Sequence, residues 1–464
     1  MTSILEQILE AKRARVAAGE FAPRQGRAEI PSDGASFARA LSAPGPRVIA
    51  EVKHRSPSAG LLLAPALVET VAREYRRGGA AAISVVIEQD FFGGDPAWLP
   101  RVKRASGLPV LMKDFVVDEI QLDWALWLGA DAVLLIVSAL DDLSLSRLHR
   151  AARDRGLAVL VEAHDASEVR RALACGAAIV GVNSRDLSTF KVDLDAMARL
   201  ASLIPPGITR VAESGIRTAA DVTKLGEFQA FLVGESLLTA PDRVRSLREL
   251  RGASGTRVKV CGVTRAEDAL ACVASGVDFM GLNFSPRSPR RIRAEAASAL
   301  RDAALRDGGV EGVVAVFAGN PESEIRSIAA ALQPDVLQLT DPPASFSGEP
   351  WPVPVWHAVA VGRDSIPEAL AWPAQALLFD TAVPGERGGT GQTFDWSTLA
   401  NVPVDRPFLV AGGLHPGNVS ALIRRLHPWG VDAASGLETA PGRKDHDKIE
   451  AFVRAVRSPE KDQP

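Results

Sequence analysis

The stretch VLMKDFVVD, Val110 to Asp118, ends an aliphatic run on a charged pair, Lys113-Asp114, with an aromatic next at Phe115. A buried strand rarely carries a lysine at its last position without a partner or a task. Burial disfavours the ammonium form, so a lysine there is expected to give up a proton near neutral pH and act as an acid. A strand-end lysine also simply snorkels to solvent. What separates the two readings is that other runs in the chain end the same way. Short β-branched runs alternate with segments of helical period and end near Lys53, Ile87, Lys113, Val137, Glu162, Asn183, Glu213 and Gly234. Eight strands with helices between them fit the unit count of a (β/α)8 TIM barrel. Each run is almost continuously apolar, as a parallel sheet covered on both faces requires.

After Gly234 the segment SLLTAPDRVRSLREL reads as one helix, followed by Arg251-Gly252-Ala253-Ser254-Gly255, a short polar stretch rich in glycine. This is the expected domain boundary, dividing the chain into 1–254 and 255–464. The rhythm then restarts, with runs ending near Cys261, Phe284, Phe317, Leu339, Ala360, Asp380, Gly412 and Ser435. The expected fold class is therefore α/β, two consecutive (β/α)8 barrels. Ahead of the first strand, MTSILEQILEAKRARVA reads as an amphipathic helix, not a signal peptide, and SFARALSA as a short second one. A closing helix is expected over Ile449–Val456. A doubly wound open sheet competes, but neither half opens with a Gly-x-Gly-x-x-Gly turn.

With 464 residues, 47% apolar and 23% charged, the composition is that of an ordinary globular protein too long for one core. A net charge of -3 offers no basic face for nucleic acid. No apolar run reaches the length of a membrane span. Three cysteines, Cys175, Cys261 and Cys272, form no disulfide framework and have no zinc spacing, so the expectation is a cytoplasmic protein without a metal. No dinucleotide fingerprint appears either, and no cofactor is implied. Small phosphorylated molecules are the expected partners, with no nucleic acid or membrane, and the chain is expected to act as a monomer.

Active sites of such barrels lie at the C-terminal strand ends. There the first half places Glu51 and Lys53, Lys113, Glu162, Asn183 with Arg185, Glu213 with Ser214-Gly215, and Gly234-Glu235. Any one of these charges alone is readily a structural ion pair; three carboxylates and two lysines on one face favour catalysis. The Ser214-Gly215 and Gly234-Glu235 turns follow the seventh and eighth strands, where barrels commonly cradle a phosphate with backbone N–H groups.

These motifs, IAEVKHRSPS, VLMKDFVVD, LLIV, LVEAHD, GVNSRDL, VAESGI and FLVGESLL, resemble in order and spacing those of the indole-3-glycerol-phosphate synthases, over about residues 1–250. The resemblance implies ring closure of 1-(2-carboxyphenylamino)-1-deoxyribulose 5-phosphate with loss of carbon dioxide and water. It implies Lys113 as general acid on the carbonyl, Glu162 as partner acid or base for dehydration, and Glu51 and Asn183 as supports of the site. It further implies Lys53, Ser56, Arg185 and Glu213 as substrate contacts. Ser214, Gly215, Gly234 and Glu235 would hold the phosphate. Phe92, Phe115, Leu134 and Leu187 would wall the anthranilate ring.

In the second half Cys261 ends the first run, at a position where a thiolate could serve as base and nearby cations would favour it. Cys175 and Cys272 read as inert. Asp380 ends the sixth run, where the sequence would otherwise stay apolar. Three loops of glycine and hydroxyl residues follow: Gly388-Gly389-Thr390-Gly391, Gly412-Gly413, and Ser435-Gly436 beside Asp432. They read as a phosphate site. Arg287, Arg290 and Arg291 form a basic loop that could clamp substrate.

The set KVCGVTR, SPR, LLFD, GGTGQTFDW, AGGL-x-P-x-NV and DAASGLE resembles the phosphoribosylanthranilate isomerases, over about residues 256–456. The resemblance implies an Amadori rearrangement with Cys261 as general base and Asp380 as general acid at the ring oxygen. Arg290 and Asp432 would hold substrate, and Gly389, Gly391, Gly412, Gly413, Ser435 and Gly436 its phosphate. The family usually reads Gln-Leu-His-Gly after the fourth strand, where this chain has Gln338-Leu339-Thr340-Asp341. That departure leaves open a second barrel that only binds. A pair of unrelated phosphosugar barrels would use paired aspartates, against Cys261 with Asp380.

Overall fold

The computed structural model describes residues 3–21, 30–56, 59–183, 193–306, 309–340, 350–381, 393–399 and 402–458. The chain divides into two compact units, Met1–Ala253 and Ser254–Pro464.

In the first unit eight parallel strands close into a barrel: β1 (Arg47–Val52), β2 (Ala82–Val86), β3 (Val110–Lys113), β4 (Ala132–Ile136), β5 (Ala158–Ala163), β6 (Ile179–Asn183), β7 (Thr209–Glu213) and β8 (Ala230–Val233). Each pairs with its neighbours in sequence, and β8 returns to β1 with Arg47 opposite Ala230. The second unit repeats the plan with β9 (Arg257–Cys261), β10 (Phe279–Asn283), β11 (Gly312–Phe317), β12 (Val336–Leu339), β13 (Val355–Val361), β14 (Ala376–Thr381), β15 (Phe408–Val410) and β16 (Gly430–Ala433), again closed. The expected strand ends fall within two residues of those observed, because the hydrophobic runs are set by burial on both faces.

Alternation along the strands of the second barrel sorts side chains between two cores. Phe279, Val314, Val316, Val336, Trp356 and Leu378 fill the interior together with Cys261. The residues between them, such as Met280, Ala315, Leu337 and Phe379, pack outward with the helices. Lys259 and Asp380, each an even step from an interior residue, therefore face inward.

Two helices precede β1: α1 (Ile4–Ala17) and α2 (Gly34–Ser42). Ser3 and Glu6 form a reciprocal cap at the start of α1. Its buried face carries Ile8, Leu9 and also Lys12. The Lys12 ammonium meets Asp114 at 2.7 Å, with both side chains almost fully enclosed. The expected single helix after Gly234 is two, Glu235–Leu238 and Arg243–Leu250. Pro241 lies between them, and its missing N–H and bulky ring stop the first helix. The closing helix runs from His446 to Arg457.

Candidate active sites at the two barrel mouths

Burying several charges together is tolerable only if they compensate one another. At the first mouth they do. Lys113 Nζ lies 3.1 Å from Glu213 Oε2 and 3.4 Å from Glu51 Oε2. Lys53 Nζ donates to Glu51 Oε1 at 2.5 Å. Glu162 is joined by Asn183, whose Nδ2 donates to Oε1 at 3.0 Å. Strand ends one, three, five, six and seven thus bring together Glu51, Lys53, Lys113, Glu162, Asn183 and Glu213, as the sequence reading expected.

The electrostatics correct one expectation. Burial does press Lys113 toward the neutral amine, but Glu213, Glu51 and Glu162 outweigh it, and its pKa lies above the ordinary lysine range. The ammonium form is held, so a proton leaves Lys113 only when a bound molecule alters that balance. The carboxylates split. Burial opposes ionisation of Glu51, yet Lys53 and Lys113 hold its pKa at about 2. Glu162 is also held at about 2 against burial, chiefly by His164 and Lys113. Glu213 is pushed up to about 7, by burial first and then by Glu162 and Glu51 against the pull of Lys113. Its Oε1 has no hydrogen-bond partner.

Two glycines make this crowding possible. A Cβ on Gly234 would stand 2.4 Å from Glu51 Oε1, and one on Gly181 would stand 2.2 Å from Glu213 Oε1. Gly234, expected as a phosphate residue, therefore also clears space for a carboxylate. Ser214 and Gly215 follow β7 with φ of 71° and 75°. A left-handed serine is uncommon and costs on the order of 1 kcal/mol or more. Gly234 caps the short helix that begins at Glu235, with no side chain on its first N–H groups. Ser236 Oγ donates to Ile216 carbonyl at 2.9 Å, tying the turn after β8 to the turn after β7.

Phe92 and Phe115 stand with ring centroids 6.5 Å apart, tilted by 31°. Phe92 is held by buried Glu88, which accepts its backbone N–H at 3.0 Å. Leu134 is buried on β4 and Ser56 is buried beyond β1. Ser56 Oγ accepts the Ala59 N–H at 3.0 Å. Arg185 and Leu187 lie outside the described residues.

At the second mouth the sequence pair appears with company. Cys261 ends β9 and Asp380 lies one residue from the end of β14. Strands β15 and β16 separate them around the ring. Asp380 is pushed up to about 6, chiefly by burial and also by Asp432. Burial also raises the Cys261 thiol, against the pull of Lys259 and Lys444. The expectation that neighbouring cations would lower it is corrected: the low-dielectric site wins. Lys259, two residues before Cys261 and fully buried, donates to Asp432 Oδ2 at 2.6 Å, while Asp432 Oδ1 has no partner.

Arg290 is not a freely offered clamp. Its Nε and Nη2 donate to Glu438 at 2.8 and 2.7 Å. Lys444 Nζ donates to the same carboxylate at 2.8 Å and to the Cys261 carbonyl at 2.6 Å. Gly262 is required beneath this network, since a Cβ there would meet Arg290 Cδ at 2.3 Å. Arg291 pairs with Glu324 at 3.3 Å. Gly412 and Gly413 have φ of 86° and 60°. A Cβ on Gly412 would meet the Thr381 side-chain hydroxyl, and one on Gly436 would meet the Leu414 carbonyl, so neither turn has room for a side chain. Ser435 and Gly436 form the 3-10 turn Ser435–Leu437. Gly389 and Gly391 lie outside the described residues.

Residues 5–250 match the model of the indole-3-glycerol phosphate synthase family, and residues 258–455 that of the N-(5'-phosphoribosyl)anthranilate isomerase family. Over nearly its whole length the chain is 35% identical to the tryptophan biosynthesis protein TrpCF of Yersinia pestis, covering 98% of this chain and 94% of that protein. Against the TrpCF of Vibrio cholerae it is 34% identical over 97% of this chain and 94% of that one. The chain belongs to the TrpCF family of tryptophan biosynthesis proteins. A solved phosphoribosyl anthranilate isomerase from Thermotoga maritima is 36% identical, covering 43% of this chain and 98% of that one, with a TM-score of 0.38. As a TrpCF protein the chain is a bifunctional enzyme, a synthase in its first barrel and an isomerase in its second.

Within this TrpCF chain, sequence reasoning missed four site residues. His164 sits in the LVEAHD motif, 3.2 Å through Nε2 from Glu162 Oε1. Lys259, Glu438 and Lys444 surround Cys261 and Arg290 as described above. Lys259 was detectable, because a residue two before Cys261 on a strand shares its face. Glu438 closes the DAASGLE motif, but its tie to Lys444 and Arg290 was not visible, since the hairpin Glu438–Ala440 with Arg443–Lys444 carries no hydrophobic signal. Thr340, at the departure from the family pattern, donates its N–H to the Phe317 carbonyl at 3.0 Å, and Gln338 Oε1 beside it is buried without a partner.

Proposed function

We propose that the two mouths perform these reactions with the following division of labour. In the first barrel Lys113 gives a proton to the substrate carbonyl as the aromatic carbon attacks it, and again to the departing hydroxyl. Glu162 is the base. The observation that carries this is the split in proton affinity: Glu162 held ionised and Lys113 held protonated, on β5 and β3 of one mouth with β4 between them. Glu51 keeps Lys113 and Lys53 in place, Lys53 and Glu213 contact the substrate, and Phe92, Phe115 and Leu134 wall its ring. The turns Ser214-Gly215 and Gly234-Glu235 take the phosphate. Loss of closure in Glu162→Gln, with substrate still bound, tests the assignment; normal turnover would refute it.

In the second barrel Cys261 removes the proton from the carbon bearing the 2-hydroxyl and Asp380 delivers one to the ring oxygen. Burial keeps Asp380 protonated further toward neutral pH than an ordinary aspartate, which supports the acid role. Gly412, Gly413, Ser435 and Gly436 take the phosphate, and Arg290 and Asp432 line the sugar. The chain acts as a monomer in the cytoplasm, away from nucleic acid. Its net charge of -3 and its free cysteines support that reading. No helix among the described residues is long and apolar enough to cross a membrane.

A further inference from the structure

His164 follows β5 and stands between two carboxylates. Its Nε2 is 3.2 Å from Glu162 Oε1 and its Nδ1 is 3.0 Å from Glu168 Oε2. Glu168 also accepts the backbone N–H of His164 at 2.8 Å, so the ring is gripped at both ends of the residue. Glu168 is itself fixed in the first turn of helix Ala166–Ala174, whose cap Asp165 accepts its N–H at 2.9 Å. Only the doubly protonated ring donates to both carboxylates at once. Burial opposes that charge, but Glu162 and Glu168 outweigh it and raise the pKa to about 10. The charged groups around Glu162 from other strands are Lys113 on β3 and Glu213 on β7. Asn183 and His164 both use Oε1 of Glu162, and neither uses Oε2.

We propose that His164 is a positioning residue for ring closure: its imidazolium, fixed by Glu168, holds the Oε1 edge of Glu162 and leaves Oε2 to take a proton from the substrate. One proton passes from substrate to Glu162, while Lys113 supplies both protons that leave in the water and takes one back from solvent between the two steps; the carbon dioxide leaves without a proton, and the pair ends neutral until Glu162 returns its proton to Lys113. His164 keeps its own proton throughout and stabilises Glu162 only in the charged form. It therefore sets the lower edge of the pH range in which closure runs.

The inference rests on Glu162 acting as the base, so Glu162→Gln is measured alongside. Closure of 1-(2-carboxyphenylamino)-1-deoxyribulose 5-phosphate is followed by indole fluorescence from about pH 3 to about pH 10 in the full chain. His164→Gln should lower kcat by about tenfold or more with KM changed by less than about threefold. It should also raise Glu162 from its place at about 2, so that an acidic limb lying below the range in the unaltered chain moves up into it by at least about one pH unit. Glu168→Gln leaves His164 with one carboxylate, so the alkaline limb should move down. An unmoved acidic limb in folded His164→Gln, whatever its kcat, overturns the inference. If His164→Gln fails to fold, an unmoved alkaline limb in Glu168→Gln overturns it instead. An active Glu162→Gln overturns the reading beneath it, and is distinguished by leaving both limbs to be assigned elsewhere.

Discussion

Lys113 and Glu213 meet at 3.1 Å, and the pair is unequal: the lysine is held protonated while the carboxyl is pushed up to about 7. Near neutral pH Glu213 is thus partly neutral, and Glu51 and Glu162 share with its ionised fraction the negative charge that holds the ammonium.

Lys113→Met keeps bulk and removes the proton. Glu213 then loses its cation and stays neutral over a wider range, which lets the fold tolerate the change. Closure should fall by at least ~10², the low end for general acid catalysis. Isomerisation by the same molecules should be unchanged. Closure within a few-fold of normal would remove Lys113 from the role.

Isomerisation should have inverted limbs. The base, Cys261, lies above its ordinary thiol value while the acid, Asp380, titrates at about 6. The working combination, thiolate with protonated Asp380, is then a minor form. Rate still rises with pH up to about 6, levels, and falls only as the thiol ionises, so the acidic inflection belongs to Asp380. Asp380→Glu should displace that inflection. A profile whose acidic limb stays put in Asp380→Glu, and moves in Cys261→Ser, would reverse the assignment.

The two mouths should fail separately. Cys261→Ala is expected to abolish isomerisation and leave closure within about twofold, since each barrel carries its own core. Assays of the two half-reactions on one preparation decide this. Equal loss of both, in a molecule with an unchanged thermal midpoint, would show that the barrels depend on each other.

Gly234→Ala should damage closure through Glu51. The added methyl needs the 2.4 Å space now held by Glu51 Oε1. Overpacking of this kind costs about 1–3 kcal/mol in stability. Closure should drop more than phosphate affinity, measured with inorganic phosphate as a competitive ligand. A selective loss of phosphate affinity would instead make Gly234 a binding glycine alone.

Much of this was legible in the sequence because two signals were strong. Continuous apolar runs announced sixteen strands, and a polar residue breaking the end of a run, such as Lys113 or Asp380, announced a site. Less visible were relations that need distance. Nothing in the alternation says that Arg290 is tied to Glu438, 148 positions away. The direction in which burial moves Lys113 was legible, but the net shift was misread. A lysine surrounded by carboxylates from three other strands gains more than burial takes, and the count of those carboxylates comes only with the closed ring. The break at Pro241 was available but overridden by the helical pattern on either side of it.

The buried contact between Lys12 and Asp114 has a practical meaning for anyone who would borrow the first barrel. A fragment started at Arg47 would keep all eight strands yet lose the counter-charge that α1 brings from outside the ring. Asp114 already sits above its ordinary carboxylate value because of burial, even with Lys12 beside it. Stripped of that neighbour it would turn neutral, or water would enter to hydrate it. The change would occur one peptide bond from Lys113. The minimal transplantable module is therefore larger than the barrel, and its outer helix is the electrostatic keel that a redesign must carry along.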